Sequence, residues 1–250
     1  MIEISERDGV AIVRFDHGKA NALDTEFCAA VTDAFAKLKR GRAKAVVLTG
    51  QGGMFSAGVN LIRARDGGAR YVRKFLPVLN KMFDIVFHFP KPVVAAINGH
   101  AIAGGCVLAC CADRRVMARG AGRMGITELL VGLPFPALAF EVMRSVTVPQ
   151  DFADLVYSGT TFPPDEAWER GLIDEIVEPG ALLDRAVTAA QKLAALSPAA
   201  FEATKRQLRL DVTDRMKKHG RRIDTEATKI WASPKATETI RDYVARTLGK

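Results

Sequence analysis

The sequence predicts an α/β fold, because strand-like and helix-like segments alternate along its first two thirds. Residues 10–15 (VAIVRF) and 44–50 (KAVVLTG) are short apolar runs of strand length, and the second run ends on glycine. Between them, Asp24 has the character of a helix N-cap. It precedes an amphipathic helix with four apolar residues on one face: Phe27, Val31, Phe35 and Leu38.

The middle of the chain continues this alternation. The pattern predicts a second helix over residues 71–87 and a buried strand over residues 92–99. Strands become rare after residue 160, where a short helix starts at Pro163 and ends at Gly171. A last strand is expected within residues 172–177.

The C-terminal third is predicted to be helical. Residues 182–196 form an amphipathic pattern, and Ser197 and Ser233 each place an N-cap residue before a proline. No Gly/Ser-rich linker separates these helices from the preceding part of the chain. We therefore expect an α/β core over residues 1–195 and a C-terminal helical region over residues 196–250.

The composition is typical of a water-soluble protein, since 48% of the 250 residues are hydrophobic and no apolar run reaches the roughly 18–20 residues of a membrane span. The first residues combine acids with a strand pattern, so we expect no secretory signal. The four cysteines and four histidines lack the spacing of metal ligands. We therefore expect reduced, buried thiols, no metal site and a cytoplasmic location.

The net charge of +8 is concentrated in residues 205–222. Eight Lys/Arg side chains stand there against Asp211 and Asp214, which leaves an excess of six positive charges. Such a segment suits a solvated helix face, a nucleic-acid surface or a site for a multiply phosphorylated small molecule, and composition does not decide between them. No aromatic residue lies within it, which disfavours binding of single-stranded nucleic acid by stacking.

Two glycine-containing segments, residues 48–61 and 97–113, follow buried strands. In the first, the spacing from Gly53 lacks the Lys-Ser/Thr of a phosphate-binding loop, and Phe55 occupies the third glycine position of a dinucleotide fingerprint. Glycines at a helix start can instead leave N–H groups free to bind an anion, as in an oxyanion hole. They can equally serve only to pack a helix closely on a strand, and the residues alone do not separate these two uses.

Five segments together resemble the crotonase superfamily, the enoyl-CoA hydratase/isomerase enzymes. The resemblance runs over nearly the whole chain, and a chance match to all five segments is implausible. They are residues 16–24 (DHGKANALD), 55–61 (FSAGVNL), 91–105 (KPVVAAINGHAIAGG), 167–177 (AWERGLIDEIV) and 197–205 (SPAAFEATK).

This resemblance implies a fold of repeated ββα units with a C-terminal helical region that serves oligomerisation and covers the active site. It implies that the backbone N–H groups of Ala57 and Gly104 form an oxyanion hole for the thioester oxygen of an acyl-CoA. It also implies a homotrimer or a dimer of trimers, and no separate cofactor, because coenzyme A is part of the substrate. Further residues are then expected to contact the substrate or its CoA part: Lys19, Ala20, Ala22, Ser56 and Asn60.

The sequence departs from the hydratase pattern at one of two glutamate positions. Hydratases of the family use two glutamates; Val107 occupies the first position and Glu128 the second. Adding water benefits from two carboxylates that hold the nucleophile and move protons, whereas shifting a double bond needs one base. We therefore predict a Δ3-Δ2 enoyl-CoA isomerase with Glu128 as its single acid/base. Leu133 and Phe135 are candidates for the wall of the acyl pocket.

Four alternatives remain at this point. One is another enolate chemistry of the superfamily that uses a single glutamate, and the other three are as follows. The first is an enoyl-CoA hydratase of the fatty-acid β-oxidation type with an incomplete glutamate pair. The second is an acyl-CoA binder that has lost catalysis, which Val107 would permit but Glu128 disfavours. The third is an RNA-binding protein, for which the basic segment 205–222 is the only support.

Overall fold

The computed structural model describes residues 1–247, which form an α/β core of two sheets with helices packed around it. The strands in these residues are β1 (Ile2–Arg7), β2 (Val10–Phe15), β3 (Ala45–Thr49), β4 (Met54–Ser56), β5 (Val93–Ile97), β6 (His100–Ile102), β7 (Arg114–Ala118), β8 (Met124–Gly125), β9 (Thr161–Phe162) and β10 (Glu175–Val177).

The α-helices of the same residues begin with the long helices α1 and α2 and end with a C-terminal group. They are α1 (Thr25–Arg40), α2 (Leu61–Phe87), α3 (Gly104–Cys110), α4 (Ala137–Val146), α5 (Phe152–Ser158), α6 (Pro164–Glu169), α7 (Leu182–Ala194), α8 (Pro198–Leu208), α9 (Leu210–Arg215), α10 (Arg221–Trp231) and α11 (Pro234–Thr247). Short 3-10 turns lie at Glu128–Val131 and Pro179–Ala181, and a π-helical turn lies at Met216–Gly220.

The large sheet has the strand order β1-β2-β3-β5-β7-β10. Only β1 runs antiparallel to its neighbour; the other pairs are parallel. Strands β3 and β5 are buried along their whole length, because alternate residues face two cores. Val46 and Leu48 belong to the core shared with α1 and α2, whereas Val47 faces α7. Burial on both faces explains their continuous apolar sequences.

The small sheet has the strand order β4-β6-β8-β9. Its strands β4, β6 and β8 follow β3, β5 and β7 along the chain, and each is followed by a helix. The chain therefore repeats a unit of large-sheet strand, small-sheet strand and helix three times within residues 45–146. The predicted α/β fold of repeated ββα units is confirmed.

The first predicted helix is confirmed, and the second is longer than predicted. Asp24 caps α1 by accepting a hydrogen bond from the Phe27 N–H at 2.9 Å. Helix α2 begins at Leu61 instead of residue 71, because Asn60 caps it by accepting the Arg63 N–H at 3.1 Å. A kink at Gly68, with φ of +55°, interrupts it. The two glycines at 67–68 obscured this first segment in the sequence pattern.

The C-terminal helices are tied to the α/β core by buried charges. Asp113, beyond the end of α3, accepts hydrogen bonds from Lys205 Nζ at 2.7 Å and from Arg209 Nη2 at 2.8 Å. Ser233 caps α11 as predicted, by accepting the Ala236 N–H at 3.1 Å. The Ser197 hydroxyl, in contrast, makes no capping hydrogen bond within the described residues.

The backbone at the start of α3 packs directly against the backbone at the end of β4. A Cβ on Gly105 would lie 2.3 Å from the Ser56 carbonyl oxygen, and a Cβ on Gly58 would lie 2.7 Å from the Ile102 carbonyl oxygen. Gly58 also has φ of +82°, a conformation that favours glycine. These glycines are therefore required for close packing of the helix start on the strand.

We predict that Gly105→Ala lowers the free energy of unfolding by about 3 kcal/mol, because the new methyl group meets backbone that cannot move freely. Gly104→Ala is the matched control. Its Cβ would meet first the Cδ1 of the flexible Leu23 side chain, at 2.8 Å, so we expect a smaller loss. Urea unfolding of both variants measures the difference, and equal losses would contradict this packing argument.

Candidate active site

A cavity of about 840 Å³ lies between the two glycine-containing segments and the C-terminal helices. Its walls come from residues 17–24, 57–62, 102–103 and 127–133 and from the helices α10 and α11. The lining residues are His17, Gly18, Lys19, Ala20, Ala22, Asp24, Ala57, Val59, Asn60, Leu61, Ile62, Ile102, Ala103, Thr127, Glu128, Val131, Leu133, Trp231 and Tyr243.

The cavity has an open end and a closed end. Gly18, Lys19 and Ile62 are exposed and form its mouth. Glu128, at 8% exposure, and the apolar side chains beside it are buried. A ligand with a charged, solvated part and an apolar part would therefore place the apolar part toward Glu128.

Two backbone N–H groups beside the cavity, those of Val59 and Gly104, have no protein partner within the described residues. Helix α3 begins at Gly104, whose N–H has no partner within the helix because it lies in the first turn. The Val59 N–H donates to no protein group within residues 1–247. A Cβ placed on Gly104 would lie 3.8 Å from Val59 Cγ2, so the two residues are neighbours across the cavity wall.

The predicted donor Ala57 is in a different situation. Its N–H already donates to the Ala20 carbonyl oxygen at 2.9 Å. That hydrogen bond holds the 17–24 segment against the 57–60 segment, so the Ala57 N–H is not free for a ligand. Two residues further along, the parallel bridge between Leu23 and Val59 leaves the Val59 N–H unused. The expectation of Ala57 as a donor is therefore corrected to Val59.

Backbone strain marks the start of α3. Ala103 has φ of +50° and ψ of −124°, although it carries a side chain. Such conformations are unfavourable by about 1–3 kcal/mol and persist only where the surrounding structure imposes them. Here the Ala103 N–H donates to Gly125 O at 2.8 Å, and Ala103 O accepts the Val107 N–H at 3.1 Å. At this strained residue, which lines the cavity, the chain passes directly from β6 into α3.

The Glu128 carboxyl is buried without a compensating charge. It opens the 3-10 turn Glu128–Val131, and its Oε2 atom has no hydrogen-bond partner within the described residues. Burial raises the pKa of this carboxyl from an ordinary 4.5 to about 7, and the N–H groups of Glu128 and Thr127 offset this only in part. A carboxyl with a pKa near neutrality can both accept and return a proton.

Asp24, the other carboxylate on the cavity wall within the described residues, is fully engaged. It accepts hydrogen bonds from the Phe27 N–H and His17 Nε2, and Arg63 Nη1 lies 3.2 Å from its Oδ2. Burial opposes the ionised form, but these donors together lower the pKa of Asp24. Asp24 is therefore a fixed anion that anchors the wall, whereas Glu128 is free to exchange a proton.

Seven of the predicted site residues line the cavity: Lys19, Ala20, Ala22, Ala57, Asn60, Glu128 and Leu133. Gly104 lies directly behind the lining residue Ala103. Ser56 is completely buried, and its hydroxyl donates to Asn21 O at 2.8 Å and accepts the Gly58 N–H, which is a structural role. Phe135 packs against Phe140 outside the cavity lining.

Val107 also lies outside the lining. It is completely buried within α3 as part of the main core. The Val107 side chain is apolar and therefore supplies no second proton-transfer group to the cavity.

Sequence reasoning missed His17, Val59, Trp231 and Tyr243, which also line the cavity. His17 and Val59 adjoin predicted residues along the chain, so proximity to them was a usable signal. Trp231 and Tyr243 lie far from the other site residues in sequence, and only the packing of α10 and α11 brings them to the cavity.

The basic segment 205–222 does not act as one surface. Lys205 and Arg209 are buried against Asp113, and burial lowers the pKa of Lys205 to about 8. Four of the six remaining cations of the segment line a shallow open groove on the outside of the molecule, together with Thr225, Glu226 and Lys229; they are Lys217, Lys218, Arg221 and Arg222. None of these residues is part of the cavity wall.

Residues 1–247 contain neither a metal-ligand cluster nor a membrane-spanning helix. No three His, Cys, Asp or Glu side chains in this range are arranged to hold a metal ion. None of the helices in this range is long and apolar enough to cross a membrane.

The ββα units and the cavity between them define an α/β protein with the crotonase fold. The chain belongs to the enoyl-CoA hydratase/isomerase family, since the family model of that description matches residues 5–247.

Relatives of the chain bear the names of both reactions. A putative enoyl-CoA hydratase of Thermus thermophilus is 34% identical over 213 residues, which cover 83% of each chain. The mitochondrial enoyl-CoA delta isomerase 1 of Mus musculus is 27% identical over 219 residues, covering 86% of this chain and 76% of the mouse protein. The crystal structure of human mitochondrial delta3-delta2-enoyl-CoA isomerase aligns with a TM-score of 0.94 at 22% identity, covering 99% and 98% of the two chains. That last likeness concerns the fold alone.

We predict that Glu128→Gln stabilises the protein above pH 7. Between pH 4.5 and about 7 the unfolded chain ionises this carboxyl while the folded chain keeps it protonated, so stability falls as pH rises through that window. Glutamine cannot ionise and avoids this loss. The variant should be more stable by roughly 2–3 kcal/mol at pH 8 and nearly equal to the wild type at pH 4.

Denaturant unfolding at both pH values measures this difference. Glu238→Gln makes the same chemical change on an exposed side chain and should show little pH-dependent difference. A Glu128→Gln advantage that does not change between pH 4 and pH 8 would show that burial does not perturb this carboxyl.

Proposed function

We propose that this protein isomerises 3-enoyl-CoA thioesters to 2-enoyl-CoA thioesters, with Glu128 as the single acid/base. The observation that carries this proposal is the buried Glu128 carboxyl on the cavity wall, whose Oε2 has no hydrogen-bond partner within the described residues and whose pKa is raised to about 7. Proton abstraction next to a thioester requires a base of this kind near an electrophilic stabiliser of the enolate.

The reaction moves one proton and one double bond. Ionised Glu128 removes a proton from C2, and the C–H electron pair forms a dienolate whose charge is held on the thioester oxygen. Protonated Glu128 then returns the proton to C4, and the double bond comes to rest between C2 and C3. No water is consumed, and the carboxylate is regenerated.

The N–H groups of Gly104 and Val59 would bind the thioester oxygen as the enolate forms. Both are free and adjoin the cavity, and the start of α3 adds the favourable field of a helix N-terminus. Each such donor typically contributes roughly 3–4 kcal/mol to stabilising the transition state. The strained Ala103 backbone is the element that aims the Gly104 N–H.

The mouth of the cavity suits the CoA part of the substrate. Lys19 is an exposed cation there, and the small residues Ala20 and Ala22 leave room for an extended chain. Asn60 lies on the same wall, but its Oδ1 is used to cap α2. Coenzyme A enters as part of the substrate, and the proposal requires no separate cofactor.

Hydratase activity is the second candidate, supported by the name of the Thermus thermophilus relative. Against it stands position 107, which holds a buried valine where the hydratases of the family have one of their two glutamates. A non-catalytic acyl-CoA binder would have no use for the raised pKa of Glu128. RNA binding would rest on the outer groove formed by Lys217, Lys218, Arg221, Arg222 and Lys229 alone.

We also propose a homotrimer, or a hexamer of two trimers, located in the cytoplasm. Large apolar side chains are exposed around the C-terminal helices, which suits burial against further copies of the chain. These side chains are Leu196, Leu208, Leu210 and Ile230. The four cysteines are free and buried, as suits a reducing compartment. Light scattering after gel filtration measures the assembly directly.

We predict that the protein converts trans-3-hexenoyl-CoA to its conjugated isomer and leaves crotonyl-CoA unhydrated. Glu128→Gln should lower isomerase turnover by about 10²–10⁴-fold, because the amide cannot accept the proton. The absorbance of the conjugated enoyl thioester follows both reactions. Rapid loss of crotonyl-CoA absorbance would favour the hydratase, and near-normal turnover of Glu128→Gln would overturn the role of this residue.

A further inference from the structure

The C-terminal helices of the same chain contribute to the cavity wall. Trp231 at the end of α10 and Tyr243 of α11 line the cavity together with Val131, Leu133 and Glu128. The Trp231 side chain is only 2% exposed. The buried end of the cavity therefore has an aromatic wall that no predicted site residue supplies.

The Trp231 indole is fixed in place. Its Nε1 donates a hydrogen bond to the Pro134 carbonyl oxygen at 2.8 Å, next to the lining residue Leu133. The same helix is anchored a second time, since Asp224 Oδ1 accepts the Ala137 N–H at 2.8 Å. Two hydrogen bonds thus attach α10 to the segment that follows Glu128. A wall held in this way cannot easily rotate to admit a longer ligand.

We infer that Trp231 is a specificity-determining residue, whose indole ends the acyl pocket and restricts the substrates to thioesters of linear acyl chains short enough to stop in front of it. The inference rests on the proposed function, in that it takes an acyl thioester as the ligand. The exposure of the cavity sets the direction: the CoA part lies at the mouth near Lys19 and the chain end lies inside.

A fixed apolar wall produces a definite dependence of affinity on chain length. Each methylene group that enters the pocket should increase affinity by about fourfold. Once the chain reaches the indole, further groups collide with a packed interior, and affinity should fall. Removing the indole should move this maximum to longer chains without altering contacts at the mouth.

The test measures binding, so that it does not depend on turnover. Saturated butanoyl-, hexanoyl-, octanoyl- and decanoyl-CoA are titrated calorimetrically into the wild type and into Trp231→Ala and Trp231→Phe. We expect Trp231→Ala to move the affinity maximum to acyl chains at least two carbons longer. It should also bind the shortest acyl-CoA that is too long for the wild-type pocket at least tenfold more tightly than the wild type does. Trp231→Phe retains a ring, so its maximum should lie between the two.

Asp224→Ala is the matched control. It removes the other hydrogen bond between α10 and the segment after Glu128, but Asp224 is not part of the cavity wall. Any general loosening of this segment should therefore appear in Asp224→Ala as well, with the affinity maximum unchanged. An equal shift in Asp224→Ala and Trp231→Ala would overturn the role assigned to the indole.

A second measurement covers the case in which Trp231→Ala fails to fold. The sequence contains two tryptophans, and Trp168 is exposed on α6 away from the cavity. In Trp168→Phe the fluorescence comes from Trp231, and it should change with acyl-CoAs long enough to reach the indole but not with butanoyl-CoA. A Trp231 emission that responds to no chain length would overturn the inference.

The outcomes also separate this inference from the proposed reaction. Saturated acyl-CoAs could bind with the expected length limit while a 3-enoyl thioester is not turned over. That result would contradict the proposed isomerase activity and leave the role of Trp231 intact. Isomerase turnover with no length limit in binding would contradict the role of Trp231 alone. No binding of any acyl-CoA would overturn both.

Discussion

The site depends on one carboxyl group that is buried without a charged partner. An ionised Glu128 is unfavourable in its apolar surroundings, and this is what raises its pKa to about 7. Asp24 lies on the same cavity wall and has the opposite surroundings, with donors from His17, Arg63 and the Phe27 backbone. The two environments separate a proton-exchanging carboxyl from a permanently charged one. Burial of the Glu128 carboxyl also destabilises the folded protein above neutral pH. The proton-exchanging residue is therefore present at a cost in stability.

A second constraint is the close backbone contact beside the same cavity. Gly58 and Gly105 allow the β4 end and the α3 start to touch through their backbones, and the strained Ala103 turns the chain between β6 and α3. The result is a pair of free N–H groups, on Val59 and Gly104, on one side of the cavity. The C-terminal helices close the other side with Trp231 and Tyr243. The large sheet therefore acts as a support, while the functional groups come from the segments that leave it.

Much of the fold could be predicted from the sequence, because apolar periodicity and capping residues act locally. Helix α1 and strands β2, β3 and β5 follow such patterns, and the glycine segments pointed to the part of the chain that forms the site. The donor assigned to Ala57 could not be excluded in this way, because its hydrogen bond to Ala20 joins segments that are distant in sequence. The role of Trp231 could not be predicted for the same reason, because the sequence around residue 231 gives no sign of its contact with Pro134. Sequence patterns that act locally predict helices and strands. Whether a given N–H group is free or hydrogen-bonded depends on contacts between segments that are distant in sequence.

The central claim is that one buried carboxyl carries the proton from C2 to C4, and transfer of an isotope label tests it most directly. A 3-enoyl-CoA carrying deuterium at both C2 positions is converted in ordinary water under single-turnover conditions, and the position of the label in the product is read by NMR. Because the Glu128 carboxyl is only 8% exposed, we expect part of the product to carry one deuterium at C2 and one at C4. A product with no deuterium at C4 would mean that solvent or a second group supplies that proton, and it would contradict the single-carboxyl mechanism.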